Sequence, residues 1–155
     1  MKKIIITAAL AAFMLGGYSQ DKKEAAKAEK QVTIPQLVTK TFAAQYPKVA
    51  KVKWGIEKPG EYEAEFDYNK AEMSALYNEK GTLLETETEI KNAELPQAIR
   101  TTLAKDFVGY KFDEFEKAEA NGIVTYEMEA KKDKKTFELV FDRSGKLINQ
   151  EEEKE

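Results

Sequence analysis

The chain contains no cysteine and no histidine. Without cysteine there are no disulfides, no thiolate nucleophile and no thiolate metal site. Without histidine the commonest general base and the commonest transition-metal ligand are missing. Catalysis would have to rest on carboxylates, lysines, tyrosines and hydroxyls. Long apolar runs are also lacking. The uncharged stretch from Ile4 to Leu15 is 12 residues, short of the roughly 20 that a membrane-spanning helix needs. An excess of positive charge is absent too: 25 basic residues face 28 acidic ones, a balance of −3. That argues against nucleic acid, whose binding rests on basic patches, and against an anionic membrane surface.

What is present is a chain of 155 residues, 42% apolar and 34% charged, enough for one compact domain or two small units sharing a core. Met1-Lys2-Lys3, the apolar run and Gly16-Gly17-Tyr18-Ser19-Gln20 have the layout of a secretory signal cleaved between Ser19 and Gln20. Its removal takes Lys2 and Lys3 from the 25 basic residues, leaving 23 against 28 and a balance of −5. Tyr18 stands where a lipoprotein signal would need cysteine. Residues 20–32 are mostly Lys, Glu and Ala without an apolar face, and read as a flexible charged leader. The expected destination is the periplasm or the medium.

The rest of the chain is written twice. Ile34-Pro35-Gln36-Leu37-Val38 is answered by Leu95-Pro96-Gln97-Ala98-Ile99 at an offset of 61. Phe42 answers to Leu103, Tyr46 to Phe107 and Trp54 to Phe115. At an offset of 64, Tyr62 answers to Tyr126, Met73 to Phe137, Tyr77 to Phe141 and Gly81 to Gly145. Matching residue types at fixed spacing mark a duplicated unit.

In each half the reading is one helix followed by an antiparallel meander. Thr33 and Gln36 have the form of a capping box before a helix whose inward face is Ile34, Leu37, Val38, Phe42 and Tyr46, stopped by Pro47. Strands follow at Val52–Ile56, Tyr62–Tyr68, Met73–Tyr77 and Thr82–Ile90. The second helix is expected over Leu95–Phe107 with Gly109 as its stop. Its strands are Tyr110–Phe115, poorly alternating, then Tyr126–Ala130, Phe137–Phe141 and Lys146–Asn149. The predicted class is α+β: units at 33–92 and 93–150, helices packed on one face of an antiparallel sheet, and an acidic tail at 151–155.

The Ile/Leu-Pro openings of both helices, Tyr46-Pro47, Val52-Lys53-Trp54, Tyr62-Glu63-Ala64-Glu65-Phe66 and the hairpins closed by Gly81 and Gly145 resemble the PepSY-like family. These are exported bacterial proteins described as similar to β-lactamase-inhibitor proteins. The likeness spans about Val32 to Gln150. It implies two helix-plus-meander units in a periplasmic or surface protein that binds or inhibits another protein. It supplies no catalytic motif.

The constellations that could carry chemistry are rows of carboxylates. Glu63, Glu65 and Asp67 share one side of a strand, as do Glu85, Glu87 and Glu89, and Glu127 and Glu129. They serve either as a surface for a basic partner or Ca²⁺, or as a solvated face neutralised by lysines such as Lys51 and Lys53. Paired-carboxylate hydrolysis needs a buried acid with a raised pKa in a pocket, and no acid is marked as buried by sequence. Leu76 and Val140 are apolar at outward positions: either a small patch amid the acids, a place to pair with a neighbouring chain, or scattered surface residues. Tyr110, at a helix exit, is the aromatic expected at the surface. The candidate binding face is therefore Glu63, Glu65, Leu76, Tyr110, Glu127, Glu129 and Val140, with no catalytic residue, no cofactor and no metal site assigned. The function expected is non-enzymatic binding or inhibition of another envelope or secreted protein, without nucleic acid and without stable membrane insertion. The alternative is a periplasmic carrier of a small ligand or cation such as Ca²⁺.

Overall fold

The computed structural model describes residues 33–153. The signal segment with Ser19 and Gln20, the charged leader to position 32, and the last two residues of the tail lie outside them. Helix α1 (Gln36–Gln45) precedes strands β1 (Lys53–Lys58), β2 (Glu61–Tyr68), β3 (Ala71–Asn78) and β4 (Leu83–Glu89). After a single 3-10 turn at Asn92–Glu94 come α2 (Gln97–Asp106), β5 (Lys111–Ala120), β6 (Ile123–Lys132), β7 (Lys135–Asp142) and β8 (Leu147–Glu152). All eight strands form one sheet in sequence order, and every neighbouring pair is antiparallel. The class is α+β.

Both helices start the same way. The residue before a proline avoids helical dihedrals, so the chain stays extended through Ile34-Pro35 and Leu95-Pro96. Pro35 (φ −57°, ψ 141°) and Pro96 (φ −50°, ψ 140°) are the N-caps, and neither receives a side-chain cap. The capping box expected from Thr33 and Gln36 is thus replaced by a proline that fixes the entry direction. Both helices end on an aromatic: the Tyr46 and Phe107 N–H groups donate to the carbonyls of Phe42 and Leu103. The second helix stops at Asp106, before Gly109.

The tight hairpins follow from turn chemistry. Asn69-Lys70, Asn121-Gly122 and Asp133-Lys134 carry positive φ at both central positions, the mirror-image turn that matches strand twist. The wider hairpins are pinned by a side chain. Asn78 Oδ1 accepts from the Lys80 and Thr82 N–H groups at 3.0 Å each. Asp142 Oδ1 accepts from those of Ser144 (2.8 Å) and Lys146 (3.1 Å).

Each helix covers its own strands. Val38 and Phe42 are buried with Ala64, Phe66, Ala75 and Tyr77, and Trp54 and Tyr62 pack at the margin. Leu95, Ile99, Leu103 and Phe107 are buried with Tyr126, Met128, Ala130, Leu139 and Phe141, and Phe115 packs alongside. Trp54 and Phe115 are each partly buried against a core cluster, whereas Tyr62 is partly buried and its counterpart Tyr126 belongs to the buried core. The register runs Ala75–Thr86–Glu119–Val124 from β3 across to β6. Two glycines bring the turns against the helices. A Cβ on Gly81 (φ +75°) would meet the Leu37 carbonyl oxygen at 2.9 Å, and one on Gly145 (φ +85°) would meet the Ala98 carbonyl at 2.7 Å.

Two boundaries differ from expectation. The poor alternation of β5 reflects a bulge between Asp113 and Glu116, with Glu114 at φ 47°. The extra residue turns both Phe112 and Phe115 toward the core. At the other end, Glu151 pairs with Glu138 and Glu152 with Phe137, so β8 carries the first part of the acidic tail into the sheet.

Candidate functional site: the acidic face of the sheet

Side chains alternate across a strand, so every residue flanking a core position of β2, β3, β6 and β7 lies on the opposite face. The register aligns these residues into cross-strand rows. Glu63 stands beside Leu76, and Leu76 beside Glu85. Glu65 stands beside Ser74, Ser74 beside Glu87, and Glu87 beside Ala118. Glu116 adjoins Glu89 and Glu127, Glu127 adjoins Val140, and Glu129, Glu138 and Glu151 form the next row. Neither helix contributes a residue to the buried part of this face.

The centre of the face is not the solvated surface that alternation implies. Glu63 is 5% exposed, Glu87 and Glu127 7% each, and Glu138 9%. Leu76 and Val140, expected at the surface, are 8% and 3% exposed. The cause is crowding by long neighbours. Leu76 lies between Glu63 and Glu85, and Val140 between Glu127 and Asn149, so carboxylate stems close over the apolar side chains while their heads reach outward.

Burial of like charges makes ionisation costly. Glu63 is pushed up to about 7, first by desolvation and then by the charges of Glu87, Glu65 and Glu57, against a hydrogen bond with Ser74. Glu85 is raised by burial and by Glu87 and Glu61. Glu127 and Glu138 are hydrogen-bonded to each other and titrate as a pair, and burial followed by neighbouring carboxylates raises both. Two carboxyl groups in a hydrogen bond share a proton, so the pair carries less than its full charge near neutrality. Ser74 Oγ donates to Glu87 Oε2 at 2.9 Å.

Neutralisation by lysine reaches only the margins. Lys53 Nζ meets Glu65 at 2.9 Å, and Lys131 contacts Glu129. Among the described residues no group of three or more acids has an arrangement that could hold a metal ion. The expected residues thus separate. Glu63, Glu65, Leu76, Glu127, Glu129 and Val140 all lie on this face. Tyr110 does not: it is half-buried on the helix side, stacked with Phe112, packed on Phe107 and Phe137, with Lys132 Nζ 4.8 Å above its ring. Glu138 is the member that sequence reasoning missed, and Glu87, named among the carboxylate rows, was left out of the candidate face. Their signal was the register, which places them beside Leu76's and Val140's rows.

The described residues form two open depressions. One, of about 300 Å³, opens at the margin of this face, where Glu65, Asp67 and Glu72 line it with Lys51, Lys53 and Phe66. The second, of about 320 Å³, lies at the end of α2 among Arg100, Phe107, Val108 and Tyr110. Its guanidinium is already committed to the carbonyls of Ala93 and Leu95 and to Gln97 Oε1. Neither depression is lined by Glu63, Glu127 or Glu138.

One family model matches residues 21–85 and 60–149, that of the family described as "Putative beta-lactamase-inhibitor-like, PepSY-like". No curated protein matches in sequence. Solved structures from Bacteroides share the fold. A chain described as one of the "putative periplasmic proteins" of Bacteroides eggerthii superposes with a TM-score of 0.72 at 16% identity, over 78% of this chain and 90% of that one. A "DUF2874 family protein" of Bacteroides ovatus gives 0.70 at 21% identity, over 78% and 89%. A "BLIP-like protein" of Bacteroides fragilis gives 0.66 at 20% identity, over 78% and 87%.

Proposed function

We propose that this chain, which belongs to the PepSY-like, β-lactamase-inhibitor-like family, is a non-enzymatic binding protein that receives another envelope or secreted protein on the acidic face of its sheet. The observation that carries this reading is the buried centre of that face. Four glutamates surround Leu76 and Val140 there with less than a tenth of their surface exposed. A patch of partly neutral acids over apolar side chains is poorly hydrated, and a partner displaces little ordered water from it. Loops and turns lie to the side, so the face offers a broad, shallow contact rather than a closed pocket.

The two halves are read as copies of one helix-plus-meander unit. Support comes from equivalent details: proline N-caps, aromatic C-caps, the Asn78 and Asp142 turns, and Gly81 and Gly145 against equivalent helix positions. Export to the periplasm or medium is part of this reading, supported by the signal-like start at 1–19 and by the Bacteroides eggerthii neighbour, which is described as periplasmic.

The test is retention of envelope proteins by the immobilised full chain and by a Glu63→Gln/Glu127→Gln/Glu138→Gln variant, at low and high salt. One defined basic protein, held by the wild type, released by salt and lost by the variant, is the expected outcome. Equal retention by both chains would exclude the sheet face.

A further inference from the structure

Within the acidic face one place differs from the rest. Glu127 and Glu138 are hydrogen-bonded to one another across β6 and β7. Glu138 is nine-tenths buried, and no donor other than the Glu127 carboxyl reaches its Oε2. A buried carboxyl oxygen without a donor is costly in a finished structure. The described residues place no cation at the pair: Lys53 and Lys131 are taken by Glu65 and Glu129 at the margins. The titratable groups that act on the pair are acids, namely Glu85 and Glu87 on β4, Glu116 on β5, Glu151 on β8 and Glu153 just beyond it; Glu129, held by Lys131, stands opposite Glu138, and the Thr125 hydroxyl lies 3.5 Å from Glu127 Oε1. Val140 adjoins Glu127 and forms an apolar wall.

We infer that the Glu127–Glu138 pair is a socket for one lysine or arginine side chain presented by the partner protein. This rests on the docking reading above. The chemistry is complementary at each atom. An ammonium or guanidinium supplies the donors that Glu138 Oε2 lacks. Its alkyl stem lies along Val140, as such stems do on apolar surface. When the cation enters, the pair releases its shared proton to solvent and both carboxyls become carboxylates. The desolvation cost of burying an extra charge is offset because the incoming cation replaces a proton rather than adding to an empty site.

The experiment uses the full chain and tetra-lysine as probe. Titration is followed by amide chemical shifts, and proton release by calorimetry in two buffers of different ionisation heat. Shifts centred on Glu127, Glu138 and Val140 are expected, with roughly one proton released per peptide near pH 7. Glu127→Gln and Glu138→Gln, which keep shape, each weaken binding about tenfold. A variant away from the face, Glu79→Gln/Asp106→Asn, leaves it within about twofold, as exposed charges do. If this variant loses as much as the pair variants, or no proton is released while the sheet face still shifts, the socket is refuted and the docking face stands. If no residue of the sheet face shifts at any peptide concentration, the docking reading falls with it.

Discussion

Raising the pH should unfold this protein more easily, and Glu63 gives the clearest measure of it. Its carboxyl is moved from 4.5 to about 7 in the folded chain. The folded state therefore holds this proton more tightly than the unfolded state. Stability from that proton is fully present below about 4.5 and is lost as pH climbs through about 7. The shift is roughly 2.5 units, and each unit is worth about 1.4 kcal/mol, so full ionisation costs about 3 kcal/mol. The perturbation that isolates it is Glu63→Gln, which keeps the shape without the charge. Urea unfolding at pH steps from 4.5 to 9 should find the variant equal to the wild type at the acid end. It should become more stable by about 1.4 kcal/mol per pH unit until the difference levels near 3 kcal/mol. A difference that stays flat across the range would mean that Glu63 ionises freely, and the crowded centre of the face would be wrong.

The glycine contacts give a second expectation. Gly145→Ala puts a Cβ 2.7 Å from the Ala98 carbonyl at φ +85°, and should cost roughly 2–3 kcal/mol. Gly60→Ala, at φ +86° with nothing within 4 Å, should cost only about 1 kcal/mol, and thermal unfolding of both variants checks the gap. Tyr77→Phe removes the hydroxyl that donates to Gln45 Oε1 at 2.6 Å. It should cost about 1 kcal/mol without loss of fold, because Phe141 fills the equivalent place in the other half with no hydroxyl. Phe141→Ala empties a fully buried position of the core and should cost roughly 3–5 kcal/mol by denaturant midpoint.

Much of the architecture was legible because its signals are local. The spacing of Val38 and Phe42, the alternation of Tyr62, Ala64 and Phe66, and the Asn121-Gly122 turn each depend on near neighbours. The inward face followed from the same periodicity. What was not legible depends on strands far apart in sequence. Alternation assigns Glu63 and Glu127 to the outer face, and an outer face is normally solvated. Only the eight-strand register crowds them around Leu76 and Val140. Those two apolar residues at outward positions were the hint, and it pointed to burial rather than exposure. The bulge at Asp113–Glu116 hid β5, since one extra residue breaks the period. Tyr110 was misplaced because exit from a helix says nothing about Phe112 and Phe137, which arrive later in the chain to cover it. The proline at each helix start displaced a capping box that was correct in form.

The most direct measurement is carbodiimide labelling of carboxyl groups, read by mass spectrometry, on the chain alone and with the basic protein it retains. The account predicts protection of Glu65, Glu72 and Glu89 on the acidic face, with Glu94 and Asp106 beside the second helix labelled as before. Protection of Glu94 and Asp106 with an unchanged acidic face would contradict it.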